Sequence, residues 1–273
     1  LFILAHIVLI ANYKAEVISH EKVNGKVFRS TFKCISPAGM EFKAGQYINF
    51  KVGLTAGDKT RRSYSLANAS GEHELLETYV DVTPGGPGSI FFDSLHIGQQ
   101  VEFLGPLGRF NFVQESEKVP VFVATGTGIA PFLGMLRDMT SGKTAAGVAG
   151  NASVENALGR QVLLYWGVRS QTDLYLTKEL ADLASKLPGF TYKLCLSKPM
   201  GGWGSAGEIE YTGRVGAALE QDLLGPGAIG PGGLLFENCD FYLCGSNSMI
   251  TTVKSQLTTS GQSEVQIYTE EFY

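Results

Sequence analysis

Much that would mark a specialised chain is missing from these 273 residues. Charge is nearly balanced, 22 Lys+Arg against 26 Asp+Glu for a formal net charge of −4. That leaves no electrostatic footprint for duplex nucleic acid or an anionic membrane surface, and directs attention to a small-molecule or protein partner. Cysteine is scarce: Cys34, Cys195, Cys239 and Cys244. The one close pair, Cys239 and Cys244, fits neither a zinc ribbon nor a plant-type iron–sulfur spacing, so no metal site is predicted. Few cysteines without a pairing pattern favour a reducing compartment, and hence a cytoplasmic setting. No hydrophobic run reaches the ~20 residues needed to span a bilayer. The longest, Leu1–Ile10, opens the chain without a Met. It is expected to be either an arm packed on the body (residues 1–12) or the end of an upstream module or removed membrane anchor.

What is present is a mixed globular composition, 44% hydrophobic and 18% charged, with 34 Gly in no triplet repeat, which excludes disordered and collagen-like chains. The length suggests two domains. From Tyr13 to about Phe112 short alternating runs are broken by Gly, Pro and Asn, for example Lys26–Phe32, Tyr47–Val52, Leu75–Val82 and Gln100–Phe103. Such spacing predicts an antiparallel barrel or sandwich with one short helix, Ser89–Leu95. After Pro120 apolar strands alternate with helical stretches: strands at Val121–Ala124, Gln161–Val168, Phe190–Leu196 and Phe241–Cys244, and helices at Ala130–Met139, Thr172–Leu187, Val215–Leu224 and Met249–Thr259. Strand–helix alternation implies crossover units and a parallel sheet. The boundary is expected near Glu115–Val119, dividing residues 13–116 from 117–273, with surface loops at Ser141–Gly159 and Gly225–Gly233.

Four short constellations carry chemistry. In Arg62-Ser63-Tyr64-Ser65 an Arg can grip a pyrophosphate, a Tyr two residues on shares its strand face and can pack on a ring, and a Ser hydroxyl can bond a ring nitrogen. A solvated arginine pair is the plainer alternative. Gly86-Pro87-Gly88-Ser89 opens the short helix, where free backbone N–H groups can meet a phosphate, or where Ser89 is an ordinary N-cap. Ala124-Thr125-Gly126-Thr127-Gly128-Ile129-Ala130-Pro131 delivers a Gly-rich turn from a buried strand to a helix start, with a spacing that differs from the Gly-x-Gly-x-x-Gly fingerprint. Tyr242–Met249 contains the turn Cys244-Gly245-Ser246, and Gly105–Phe110 closes the β half.

These motifs, in this order, resemble the ferredoxin–NADP⁺ reductase superfamily over Tyr13–Tyr273. The resemblance implies an N-terminal antiparallel β-barrel flavin domain followed by a parallel-sheet α/β nucleotide-binding domain. It implies FAD more than FMN, with Arg62 on the flavin phosphate, Tyr64 along the ring or ribityl chain and Ser65 near the flavin N5. Gly86, Gly88 and Ser89 form the phosphate turn, and the Tyr79–Thr83 segment, including Val80 and Thr83, runs along the ring. Gly126, Thr127, Gly128, Ile129 and Pro131 match the turn that binds a nicotinamide dinucleotide. Arg169, at the next strand end, is a further contact to it unless it is a surface cation. Cys244, with Gly245 and Met249, matches the Cys-Gly-Pro-x-x-Met pattern beside the nicotinamide C4. Ser246 replaces the usual Pro, which is expected to loosen the turn, and Cys244 is alternatively a plain core residue. Glu271 and Phe272 match the acidic-aromatic ending that lies against the flavin. Ser197 and Lys198 occupy the position of the 2′-phosphate contact and tilt the cofactor slightly towards NADPH, with NADH left open.

The implied reaction is hydride transfer from NAD(P)H to FAD followed by single-electron release to a [2Fe–2S] ferredoxin domain or another redox protein. The cluster would lie on a missing segment or a separate protein, and the missing segment could also give membrane association. No general acid or base is needed for the first step, so His6, His20, His73 and His96 need no catalytic role. Two alternatives are a free-flavin or quinone reductase and a non-catalytic nucleotide-binding docking module.

Overall fold

The computed structural model describes residues 10–53, 55, 57–113, 116–141, 160–201, 203, 209–225 and 227–272. The apolar start over 1–9, the expected loop over 142–159, the Phe272 side chain and Tyr273 lie outside the described residues. Internal contacts divide the chain into two units, one of the described residues up to Phe112 with helix α2 (Ala130–Ser141), the other of Val113–Ile129 with the described residues from Arg160 onward.

The first unit is a nearly closed antiparallel barrel of β1 (Ala11–Lys22), β2 (Val27–Ser36), β3 (Tyr47–Lys51), β4 (Arg61–Ser65), β5 (Leu75–Asp81) and β6 (Gln100–Leu107), in the order β4-β3-β6-β1-β2-β5. Just past β4, the Ala67 N–H donates to the Glu77 carbonyl of β5 at 2.9 Å, drawing the two outer strands together. Alternation along the strands sends Phe32, Ile48, Phe50 and Phe103 inward, all fully buried. The Phe50 ring lies 4.9 Å from Phe32 and 5.5 Å from both Phe92 and Phe103. Each such ring contributes roughly 1.5–3 kcal/mol on burial. Phe92 belongs to helix α1 (Pro87–Asp93), so the same cluster seats that helix on the barrel. The helix begins two residues before the expected Ser89, because Pro87 takes the first helical position, where its missing N–H costs nothing.

The second unit is a parallel sheet of β7 (Val119–Thr125), β8 (Val162–Val168), β9 (Phe190–Leu196), β10 (Glu210–Thr212), β11 (Cys239–Ser246) and β12 (Ile267–Phe272), ordered β10-β9-β8-β7-β11-β12. From β7 the chain builds outward one way through β8 and β9, then returns to the other side at β11. The order therefore reverses between β7 and β11, the position where open α/β sheets bind ligands beyond the strands' C-terminal ends. Helices α3 (Thr177–Lys186), α4 (Val215–Leu219) and α5 (Asn247–Thr259) complete the crossovers.

Two expected helices are shorter than their apolar pattern suggests. Over Gln171–Asp173 there is a separate 3₁₀ turn, closed by a Ser170–Asp173 capping box, and α3 starts only at Thr177. Beyond α4 the chain widens into a π-helical turn, Glu220–Leu224. Asp222 in that turn accepts two bonds from Lys193 Nζ at 2.6 and 2.8 Å and one from the Tyr165 hydroxyl at 2.9 Å. Satisfying a carboxylate against the sheet outweighs regular helix pitch there. Strands β10 and β12, polar and short, are absent from the pattern-based expectation and exist by pairing at the sheet's two edges.

Candidate functional site

The barrel unit brings Arg62, Tyr64 and Gly88 together. Arg62 and Tyr64, two apart on β4, share a face, and a Cβ built on Gly88 would stand 2.1 Å from the Tyr64 hydroxyl and 3.3 Å from Arg62 Cγ. Only glycine lets the first turn of α1 approach so closely. The Tyr64 ring is held edge-on by Phe92 at 4.7 Å and tilted against Phe50 at 6.0 Å. Burial pushes the Tyr64 hydroxyl up to about 12, with Arg62 pulling it the other way, so the phenol stays protonated and able to donate.

The helix N-cap is Gly86, in extended conformation and without a side-chain cap bond, while Ser89 sits inside the helix and is buried. Ser89 is therefore not the N-cap. The first helical bond runs from the Ile90 N–H to the Gly86 carbonyl, so the N–H groups of Gly88 and Ser89 precede it, and a Cβ on Gly86 would meet nothing within 4 Å. A guanidinium, a phenol donor and N–H groups ahead of the first helical bond are a donor set that fits a flavin phosphate and its chain. Ser65 ends β4 buried, opposite Tyr47 of β3. The Val80 side chain packs in the barrel core, and Thr83 bonds Asp81 through both its N–H and its hydroxyl.

In the second unit Gly126, Gly128, Cys244 and Gly245 meet at the sheet's order reversal, between β7 and β11. Beyond β7 the chain enters a 3₁₀ turn, Gly126–Ile129, with Gly126 at φ +56°. A Cβ on Gly128 would stand 2.3 Å from the Cys244 carbonyl of β11, whereas one on Gly126 would meet nothing within 4 Å. One glycine lets two backbones touch, and the other leaves room at the turn. Thr125 closes the junction: its hydroxyl accepts the Ser246 N–H at 3.1 Å, and a Cβ on Gly245 would meet that same oxygen at 2.2 Å.

At Ser246, where loosening is expected from the missing proline, the turn carries two hydrogen bonds. Serine has the N–H that proline lacks and uses it on Thr125, while its Oγ accepts the Met249 N–H at 3.4 Å as the N-cap of α5. Cys244 is fully buried, and burial, with Glu270 adding, pushes its thiol well up. It offers shape rather than a nucleophile.

Strand β12 pairs in parallel with β11 so that Glu271 lies opposite Gly245 and Phe272 opposite Ser246. Glu271 also accepts a bond from Asn247 Nδ2 at 3.1 Å. On the other side of β7, the Lys198 N–H donates to the Arg169 carbonyl at 2.8 Å and the Ser197 N–H to the Val168 carbonyl at 3.1 Å, so Arg169, Ser197 and Lys198 stand exposed on adjoining strand ends. Pro131 lies in the first turn of α2.

Sequence reasoning missed two aromatic supports. The Trp166 indole N–H donates to the Gly126 carbonyl at 2.9 Å, and the Tyr175 hydroxyl reaches the same oxygen at 3.5 Å with its ring edge-on to Trp166 at 5.2 Å. A buried Trp at the end of a parallel strand was the available signal, since its N–H must find an acceptor. Among the described residues no group of three or more His, Cys, Asp or Glu is placed to hold a metal ion, and each of the four cysteines is buried and free. No helix among them is long and apolar enough to cross a membrane.

Comparison with known proteins follows the same division. An oxidoreductase FAD-binding domain model matches residues 14–112 and an oxidoreductase NAD-binding domain model matches residues 122–255. The reductase component of propane 2-monooxygenase from Rhodococcus jostii is 29% identical over 240 residues, covering 87% of this chain and 57% of the relative. The reductase subunit of an Amycolatopsis aromatic O-demethylase is 38% identical over 163 residues, covering 58% of this chain and 44% of the relative. The chain thus spans about half the length of these two relatives. The crystal structure of an Amycolatopsis cytochrome P450 reductase superposes with a TM-score of 0.77 at 27% identity, over 97% of this chain and 71% of that one. With both domain models in sequence on a barrel followed by a parallel sheet, the chain belongs to the ferredoxin–NADP⁺ reductase superfamily, as an FAD-binding domain followed by an NAD-binding domain.

Proposed function

We propose that this chain is an FAD-dependent NAD(P)H reductase module that supplies single electrons to a redox protein. The observation that carries the reading is the pair of glycine-gated cradles, Gly88 against Tyr64 and Arg62 in one unit and Gly128 against the Cys244 carbonyl in the other. FAD, when bound, takes hydride from the nicotinamide and releases electrons one at a time. The protein's own residues bind and orient. Arg62 holds the flavin phosphate with the N–H groups of Gly88 and Ser89, Gly86 leaves that approach open, and Tyr64 donates its hydroxyl while its ring packs on the cofactor. Ser65 faces the flavin N5, and the Tyr79–Thr83 segment, through Val80 and Thr83, follows the ring. Gly126 to Ile129 and Pro131 take the dinucleotide pyrophosphate, Cys244 and Gly245 shape the nicotinamide end, and Met249 fixes the cap of α5. Glu271 and Phe272 are assigned to the flavin-facing ending by resemblance. We assign flavin binding to residues 13–116 and dinucleotide binding to 117–273.

Arg169, Ser197 and Lys198 put two cations and a hydroxyl on adjoining exposed strand ends, which supports a 2′-phosphate contact and thus NADPH over NADH. The acceptor we infer is a [2Fe–2S] domain or protein: the relatives are by name reductase components and subunits of oxygenase and demethylase systems. The four buried free cysteines support a reducing, cytoplasmic setting.

The test is an anaerobic stopped-flow titration of the FAD-loaded protein with NADPH and, separately, NADH, following flavin absorbance. Rapid bleaching, faster with NADPH, is expected. A protein that binds no FAD, or holds FAD that neither nucleotide bleaches, would overturn the reading.

A further inference from the structure

Just past β4 the chain meets a buried ionic cluster. Glu77 of β5 is 6% exposed, yet it carries a carboxylate between two guanidinium groups. Its Oε2 accepts Arg29 Nε at 2.8 Å and Nη2 at 2.5 Å, and its Oε1 accepts Arg137 Nη1 of α2 at 2.8 Å. Arg137 Nη1 also donates to the carbonyl of Ala67 at 2.8 Å, two residues beyond Ser65.

The backbone of Glu77 holds the same stretch: its N–H donates to Asn68 Oδ1 at 3.0 Å, and its carbonyl accepts the Ala67 N–H at 2.9 Å. Asn68 Nδ2 donates to the Leu75 carbonyl at 2.7 Å, and the Ser70 N–H to Asp138 of α2 at 2.7 Å. Helix α2 comes close enough for this only because residue 134 is glycine, where a Cβ would stand 2.9 Å from the Asn68 carbonyl oxygen.

A buried carboxylate needs one cation to be neutralised, and Arg29 alone supplies it with a two-bond fork. Arg29 Nη1 also stands 3.7 Å from the exposed Glu21 carboxylate, so Arg137 completes the charge balance of the cluster, and beyond that it adds the bond to the Ala67 carbonyl. We propose that Arg137 is a positioning residue for Ser65: through Glu77 and the Ala67 carbonyl it fixes the Leu66–Asn68 segment, and thereby the direction in which Ser65 meets the flavin ring. This rests on the reading above that Ser65 faces the flavin N5.

The arrangement makes the role separable from folding. Arg137→Met leaves the Arg29 bonds to Glu77 Oε2 intact, so the carboxylate charge stays paired, while Glu77 Oε1 and the Ala67 carbonyl both lose their guanidinium donor. Arg29→Met removes a cation from the same carboxylate without touching the Ala67 carbonyl.

The test uses FAD-loaded protein and measures the FAD dissociation constant, the flavin midpoint potential, the visible circular dichroism of the bound flavin, and its reduction rate at saturating NADPH. Arg137→Met is expected to keep FAD affinity within about threefold, to shift the midpoint potential, to change the flavin dichroism, and to slow reduction roughly tenfold, since an ångström of misplacement costs on the order of a hundredfold. Arg137→Lys, able to give one N–H to Ala67, is expected to restore much of the dichroism. Arg29→Met is expected to lower the melting temperature while leaving potential and dichroism near wild type. If Arg137→Met does not fold, Gly134→Ala, which presses a methyl on the Asn68 carbonyl, must produce the same dichroic change. An unchanged potential and dichroism in Arg137→Met, or equal shifts in Arg29→Met, would overturn the proposal. Failure of the wild type to bind FAD would instead overturn the flavin reading itself.

Discussion

The two units build their candidate sites by opposite means. In the antiparallel barrel, alternation puts Arg62 and Tyr64 on one face of β4, so the cradle is made of side chains and needs a single glycine, Gly88, where α1 closes over it. In the parallel sheet, strands deliver backbone to one common edge, and the site is made of glycines and main chain, Gly126, Gly128 and Gly245, with side chains such as Thr125 and Trp166 bonded to that backbone. The difference teaches where each site is fragile: the first to loss of a side chain, the second to gain of one.

The largest effect expected on that contrast is from Gly128→Ala. Its Cβ would press a backbone carbonyl that cannot swing away, costing about 1–3 kcal/mol of stability as overpacking does. Calorimetry should show the loss, and titration of the folded fraction should show no dinucleotide binding. Gly126→Ala, where a Cβ meets open space but φ is +56°, should cost only about 1–2 kcal/mol. Equal losses at both positions would break the argument that contact matters more than conformation here.

Next comes Arg62→Ala in the barrel. A charge-assisted contact worth about 1.5–3 kcal/mol corresponds to roughly a tenfold to hundredfold weaker FAD affinity, read by fluorescence titration, with the melting temperature of the apoprotein unchanged. A variant that purifies with full yellow colour would show that β4 does not hold the flavin phosphate.

A smaller effect is expected at Ser246. Ser246→Ala loses the α5 cap, about 1 kcal/mol or roughly 2–4 °C in a thermal melt. Ser246→Pro, which installs the family's usual residue, should be worse, because it also removes the N–H that Thr125 accepts. A proline variant as stable as wild type would mean that the Thr125 bond contributes nothing.

A pH-dependent effect is expected at Asp138, whose carboxyl burial pushes up to about 6 against the pull of Ser70. A raised carboxyl pKa favours the folded state most below the unfolded value of about 4, and that contribution is lost as pH rises through about 6. Asp138→Asn keeps an acceptor for the Ser70 N–H and cannot ionise. It should melt higher than wild type at about pH 8, the gain vanishing near pH 4. A gain independent of pH would point to something other than ionisation.

The change from short alternating runs to strand–helix units was legible along the chain, and so were the local patterns Arg62-Ser63-Tyr64-Ser65 and Gly126–Pro131 from which the candidate sites are read. The π turn at Glu220–Leu224 was not legible, since an ordinary helical periodicity hides a carboxylate bonded to Lys193 and Tyr165 on other strands. Nor was the bond that Ser246 makes to Thr125, far away along the chain.

The amino-acid sequence by itself determined the class of each half, the order of the motifs and the residue types offered to flavin and dinucleotide, because periodicity and turn chemistry act between near neighbours. Only the tertiary structure decided that Gly88 and Gly128 cannot be anything else, that Trp166 and Tyr175 support Gly126, and that Arg137 reaches the Ala67 carbonyl just past β4. Each of those rests on a distance between groups remote in the chain, set by how the strands pair and by what packs against them.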